Sequence, residues 1–153
     1  MTNFVEWSDG LSVGLEPIDD DHKVLISMIN RMHSIIANED EDFEVHLLLA
    51  KLAKYTILHF RREEIAMQTS NYPDYDTHVE LHHKLENKVY DLLKYKNRKI
   101  GSDEADELLH FLSDWLIDHI ATIDQKYADY AADHKDAIVE ALKDSDALES
   151  LEL

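Results

Sequence analysis

Four stretches of the chain repeat apolar residues at the spacing of one helical face. His22, Leu25, Ile29, Met32 and Ile36 follow at steps of 3, 4, 3 and 4. A second series runs Val45, Leu48, Leu52, Tyr55, His59, Glu63 and Met67, and a third runs His78, His82, Leu85, Val89 and Leu92. The fourth carries Leu108, Leu112, Trp115, His119 and Ile123, with Tyr127 one turn beyond. Steps of three and four return a side chain to the same face of an α-helix. The pattern predicts an all-α protein, an up-down-up-down four-helix bundle with short connections.

The boundaries follow from caps and breakers. Carboxylates at Asp19, Asp20 and Asp21 suit the free N–H groups of a helix start, which predicts the first helix to begin there. Asn38 and the acidic run 39–42 end it. Asn71, Tyr72 and Pro73 end the second helix, and the third starts near Asp74 or Asp76. Lys94 to Gly101 reads as a basic turn closed by a C-cap glycine, with Ser102 or Asp103 capping the fourth helix. Residues 1–18 hold Gly10, Gly14 and Pro17 and show no helical period. Phe4, Val5, Trp7, Leu11, Val13 and Leu15 are too apolar for a free tail, so this stretch is expected as an extended N-terminal arm along the bundle. The organisation expected is one domain over 1–130 and an acidic appendage over 131–153. In the appendage, Ala137, Ile138, Ala141 and Leu142 predict a short helix or an extension of the fourth, in a mostly solvated tail.

The inward faces carry an unusual load. His22, His59, Glu63, His78, His82 and His119 all fall on stripes that should face the core. Buried imidazoles and charges are costly unless paired or bound to metal. His59 and Glu63 are four apart, as are His78 and His82, so each pair aims two ligand side chains at one point. Asp124 lies five beyond His119, which on a regular helix turns it about 140° away. Either Asp124 reaches in from the edge of the face or the helix carries a local π-turn. Five imidazoles and two carboxylates exceed what one zinc takes, and are too rich in nitrogen for calcium or magnesium. Two metals bridged by two carboxylates fit better, and the donor mixture suits iron. His33, His46, His83, His110 and His134 lie off these faces and are expected at the surface. Met28 and Met67 read as core filler, and Asp19 to Asp21 as a helix cap.

Composition narrows the rest. The chain has 153 residues, enough for one domain with a real core, and only three Gly and two Pro to interrupt its helices. It has no Cys, which excludes disulfides, thiolate ligands and Cys nucleophiles and fits a reducing compartment. No apolar run reaches the length of a membrane span and no secretory leader is recognisable, so a cytoplasmic location is expected. A formal charge of −18 argues against nucleic acid or an anionic membrane as partner. One bundle consumes all four apolar stripes, which predicts a monomer.

The segments IDDDH at 18–22, HFRREE at 59–64, HVELH at 78–82 and WLIDHIATID at 115–124 resemble the hemerythrin family in its bacterial form. The resemblance covers about residues 4–130. It implies reversible dioxygen binding (a carrier, store or delivery protein and not an enzyme) at a non-haem di-iron centre in a four-helix bundle. It implies that His78, His82 and His119 hold one iron ion. His22 and His59 then hold a second, with one position left open for dioxygen. Glu63 and Asp124 would bridge both irons, beside an oxo or hydroxo bridge. Leu25, Phe60, Trp115, Leu116 and Ile120 adjoin these ligands and would wall the dioxygen pocket, with Tyr127 behind Asp124. Asp21 departs from the Gln more often found before the first histidine. Two other functions are compatible with the same residues. One is an oxygen or redox sensor acting on a partner through residues 131–153. The other is a di-iron peroxidase, oxidase or iron-handling protein.

Overall fold

The computed structural model describes residues 4–38, 42–93 and 102–145. A single 3-10 turn, Asp9–Leu11, precedes the helices α1 (Glu16–Ala37), α2 (Asp42–Thr69), α3 (Tyr75–Leu93) and α4 (Ser102–Asp118). The α4 axis continues through a π-helical turn, His119–Asp124, into α5 (Gln125–Ala132), and α6 (Lys135–Lys143) follows. No strand occurs among the described residues. The expected turn from Lys94 to Gly101 and the acidic residues 39–41 lie outside the described residues, as do the side chains of His46, Leu92 and Ser102.

The helices pack as an antiparallel bundle. α1 lies against α2 and α4, and α2 against α3. His22 near the start of α1 meets His59 in the later half of α2, and His78 at the start of α3 meets His119 at the end of α4. α1 and α2 therefore run in opposite directions, as do α3 and α4, as an up-down-up-down order requires. Leu25, Ile29 and Met32 of α1, Leu48 and Leu52 of α2, and Leu85 and Val89 of α3 are buried as expected. At one end of each of two stripes the buried residue is the neighbour of the predicted one. Ile35 is buried where Ile36 is only partly so, and Leu109 is fully buried beside a partly buried Leu108. In α4 the inward face is Ala105, Leu109, Leu112 and Leu116, and Trp115 packs on its edge.

The first helix starts earlier than the carboxylates suggest. It begins at Glu16 with Pro17 in its first turn and no side-chain cap on the Leu15 boundary. Proline at that position loses no needed donor and presets φ. Asp19 instead ties down the arm: it accepts hydrogen bonds from the Val13 N–H (2.9 Å) and the Ser12 hydroxyl (2.5 Å). Gly14 makes the intervening turn at φ 77°, a conformation that suits glycine. Further out, Asn30 clasps Val5 through both amide groups, each bond 2.8 Å, and Phe4, Val5 and Leu11 pack on the bundle. At the other end of α2, Asn71 takes the left-handed conformation at φ 56°. The Tyr72 N–H then reaches the Met67 carbonyl and the Asn71 N–H the Gln68 carbonyl, a Schellman closure.

Residues 135–143 do not form a solvated tail. α6 docks on α2, with Ile138 and Leu142 buried. They join Val13, Leu15, Ile18, Met67, Tyr72, Tyr127 and Ala131 in a second apolar cluster. The larger cluster fills the bundle, and the ligand-type residues occupy the bundle near this second one.

Candidate metal centre

The seven residues singled out by pattern and resemblance converge. Their ligand atoms form two groups, each with every atom within 4.8 Å of the others. One group is Glu63, His78, His82, His119 and Asp124, and the other is His22, His59, Glu63 and Asp124. Glu63 and Asp124 belong to both. All seven side chains are buried, and His22, Glu63, His82 and Asp124 have no exposed surface at all.

Each histidine turns its Nε2 inward. His59 Nε2 lies 2.9 Å from Glu63 Oε1, and His22 Nε2 3.3 Å from Asp124 Oδ2. Asp124 Oδ1 is 3.1 Å from both His78 Nε2 and His119 Nε2. His82 Nε2 is 3.6 Å from Glu63 Oε1 and 3.3 Å from His119 Nε2. These contacts are close, yet several lack hydrogen-bond geometry. His22 Nε2, Glu63 Oε1 and both Asp124 oxygens are buried with no hydrogen-bond partner. Buried polar atoms are almost always satisfied in folded proteins. Lone pairs that converge on common points without bonding one another fit cations placed between them, and the donor set fits a non-haem metal site.

Local structure explains how Asp124 arrives. Residues His119–Asp124 form a π-helical turn, which carries a residue five positions on back to the ligand face. Of the two routes open from sequence, the π-turn is the one taken.

The electrostatics are those of a site short of positive charge. Burial pushes the Glu63 and Asp124 carboxyls up and each repels the other, but the surrounding imidazoles hold both below the usual range, Asp124 well below it. Burial disfavours the charged His59, but Glu63 and Asp21 outweigh it and raise the imidazole to about 10. His82 goes the other way, pushed down by burial to about 2.

Several supporting residues were not legible as such. Asp21, expected as a cap, is 4 % exposed. It accepts hydrogen bonds from His59 Nδ1 (3.1 Å) and the Tyr55 hydroxyl (3.0 Å), and pairs with Arg62 Nε at 3.0 Å. Glu64 Oε2 lies 3.2 Å from His82 Nδ1. Tyr127, which was expected behind Asp124, is fully buried, and its hydroxyl donates to Glu63 Oε2 at 2.8 Å. A histidine whose Nδ1–H is held by a carboxylate presents a neutral, oriented Nε2 to a metal. Nothing in the spacing of Asp21 or Glu64 announces these contacts, because each partner lies on another helix or another turn.

Of the residues expected to wall a pocket, Phe60 and Trp115 pack on ligand rings, and Leu25, Leu116 and Ile120 belong to the apolar cluster of the bundle. Leu25, Phe60 and Ile120 are fully buried and Leu116 nearly so. Phe60 stacks on His82 at 3.8 Å between ring centroids, and Trp115 on His119 at 4.5 Å. Off the ligand faces, His83 and His110 are exposed, whereas His33 is half-buried and stacks on Phe4 at 4.5 Å. Met67 is buried in the second cluster.

Residues 13–131 match the family model described as the hemerythrin HHE cation binding domain. The chain is 33% identical over 129 residues to a bacteriohemerythrin of Stenotrophomonas maltophilia, an alignment covering 84% of this chain and 82% of that one. It is 34% identical over 121 residues to a bacteriohemerythrin of Methylococcus capsulatus, covering 77% and 87%. Among solved structures, a wild-type hemerythrin superposes with a TM-score of 0.74 at 28% identity, over 84% of this chain and 98% of that one. The helical bundle, the paired ligand groups and these matches agree: the chain belongs to the hemerythrin family.

Proposed function

We propose that the protein binds dioxygen reversibly at a di-iron centre, as a carrier or store and not as an enzyme. The observation that carries this is the unequal division of the ligands. Three histidines serve one group and two the other, while Glu63 and Asp124 serve both. His78, His82 and His119 would hold one iron and His22 and His59 the second. The second then has fewer protein donors and room for a small ligand. Two iron ions held by these residues would supply the electrons and the open coordination position that dioxygen binding requires.

The protein's own part is containment. Glu63 and Asp124 offset cation charge inside an apolar bundle. Leu25, Phe60, Leu116 and Ile120 keep water from the ligand groups, and Trp115 packs against His119. Dryness of this kind favours binding and release over proton-driven turnover. The Tyr127 proton is committed to Glu63 Oε2.

The test is anaerobic reduction of the protein followed by air, watched by visible absorption, with iron counted per chain. Two irons and a colour that appears with oxygen and fades under vacuum are expected. Immediate irreversible oxidation would favour an oxidase or a redox sensor. No iron would defeat the reading. One observation favours the sensor as a second reading. α6 lies outside the family match yet packs on α2, the helix that carries His59 and Glu63. A partner captured only in one redox state, and only with residues 133–153 present, would support it.

A further inference from the structure

Two arginines stand side by side between the ligands of α2, and each leads to a different group of histidines. At about 100° per residue, Arg62 lies beside the His59–Glu63 face, about 60° from His59, whereas Arg61 points about 160° from both ligands, to the far side of the helix. Arg62 is buried and its Nε lies 3.0 Å from Asp21 Oδ2, an ion pair without hydrogen-bond geometry to the oxygen that also faces His59 Nδ1 at 3.1 Å. Arg61 lies half-exposed on the other side. Its Nη1 is 2.6 Å from both Glu64 oxygens, and its Nη2 is 2.8 and 3.0 Å from the two Glu86 oxygens. Glu64 Oε2 in turn faces His82 Nδ1 at 3.2 Å. His59 belongs to the two-histidine group and His82 to the three-histidine group.

We infer that Arg61 and Arg62 are positioning residues, each fixing the carboxylate that orients one metal-facing histidine, so that the two metal positions are supported separately. Arg62 with Asp21 serves the position of His22 and His59. Arg61 with Glu64 serves the position of His78, His82 and His119. The carboxylate is held on both sides, by two hydrogen bonds from Arg61 and by an ion pair with Arg62. A carboxylate held by a guanidinium cannot swing away from the imidazole, and it accepts the Nδ1–H that leaves Nε2 free as a donor. Glu86 adds a brace on the Arg61 side, where the guanidinium is open to water. Tyr55 adds one on the Arg62 side. Losing one carboxylate releases one ring and leaves the other held.

This inference rests on the metal-centre reading, and the experiment separates the two. Metal-free protein is titrated with cobalt(II), whose visible bands report coordination and whose unpaired electrons shift the imidazole proton signals of bound histidines. Wild-type protein is expected to bind two cobalt ions. Asp21→Asn and Arg62→Met are expected to weaken binding at the His22 and His59 position by about 10- to 100-fold and spare the other. Glu64→Gln and Arg61→Met should do the converse, and Arg61→Lys should restore part of the loss. In the metal-free state, Asp21→Asn should move the His59 Nδ1–H signal and leave that of His82 in place. Circular dichroism identifies any variant that fails to fold, in which case the half-exposed Arg61→Met carries the test. Affinities within twofold of wild type in all variants, or equal weakening of both positions by each, would overturn the inference and leave the metal-centre reading standing. Wild-type protein that binds no cobalt would overturn both.

Discussion

At the scale of single residues, the ligands announce themselves and their supports do not. His22, His59, Glu63, His78, His82 and His119 were legible because a polar side chain on an apolar stripe contradicts its own pattern. Asp21 and Glu64 satisfy the ordinary rules for helix caps and surface acids, and only the folded chain puts their carboxylates behind His59 and His82. Tyr127 stands between these cases: it was expected behind Asp124, and its hydroxyl finds Glu63. Tyr127→Phe leaves a buried carboxylate without that donor. It should cost about 1–3 kcal/mol, read as a lower urea midpoint in metal-free protein. An unchanged midpoint would show the bond to be idle.

The charge state of His59 gives a second expectation at this scale. Its imidazole is raised from an ordinary 6.5 to about 10, against burial, by Glu63 and Asp21, and His119 is also raised. For a group raised on folding, the stabilisation is complete below the unfolded value and is lost as pH climbs through the folded one. The metal-free protein should therefore lose stability between about pH 6.5 and 10 as the His59 proton leaves. Metal binding needs the neutral ring, so loading in that window should release protons. Calorimetry at pH 8 in buffers of different ionisation enthalpy measures this, and heats independent of buffer would contradict it.

At the scale of elements, four stripes and their breakers located the helices, but two features turned on geometry that periodicity does not encode. The start of α1 is set by Pro17, while Asp19 serves the arm. The π-turn at His119–Asp124 could be framed from sequence only as one of two routes, since a spacing of five is silent on which is taken. Removing one residue from this turn should restore a regular helix with the register beyond it intact. Deletion of the exposed Thr122 is expected to stabilise the metal-free protein by roughly 1 kcal/mol through a regained backbone bond. It should also leave metal binding largely in place, because Asp124 then stands four residues beyond His119 and stays on the ligand face. Thermal melts and cobalt titration of the same variant check both halves. A deletion that loses metal binding while still folding would show that the site needs the π-turn itself and not only Asp124 on the ligand face.

At the scale of the molecule, stripe order sufficed for an antiparallel bundle, yet the docking of α6 was hidden. Its inward face amounts to Ile138 and Leu142, too few positions to distinguish a packed helix from a tail with some apolar residues. Their burial is substantial. Ending the chain at Asp133 removes both side chains from the second cluster, and should lower stability by about 3–6 kcal/mol, seen in the urea midpoint. A truncated protein as stable as the parent would mean that α6 merely rests on α2.

The second cluster also has a history in time. Val13 and Leu15 meet Ile138 and Leu142 there, partners more than a hundred residues apart, around the ring of Tyr127. Contacts that close such long loops form after local ones. During synthesis the helices bearing His22, His59, His78 and His82 leave the ribosome and can associate while Tyr127 and α6 are still to come. The nascent chain thus passes through a bundle whose latch is missing and whose Glu63 lacks its phenol. A metal ion captured early would meet an unfinished, wetter chamber, so Tyr127 and α6, which follow those helices, decide when the interior becomes dry.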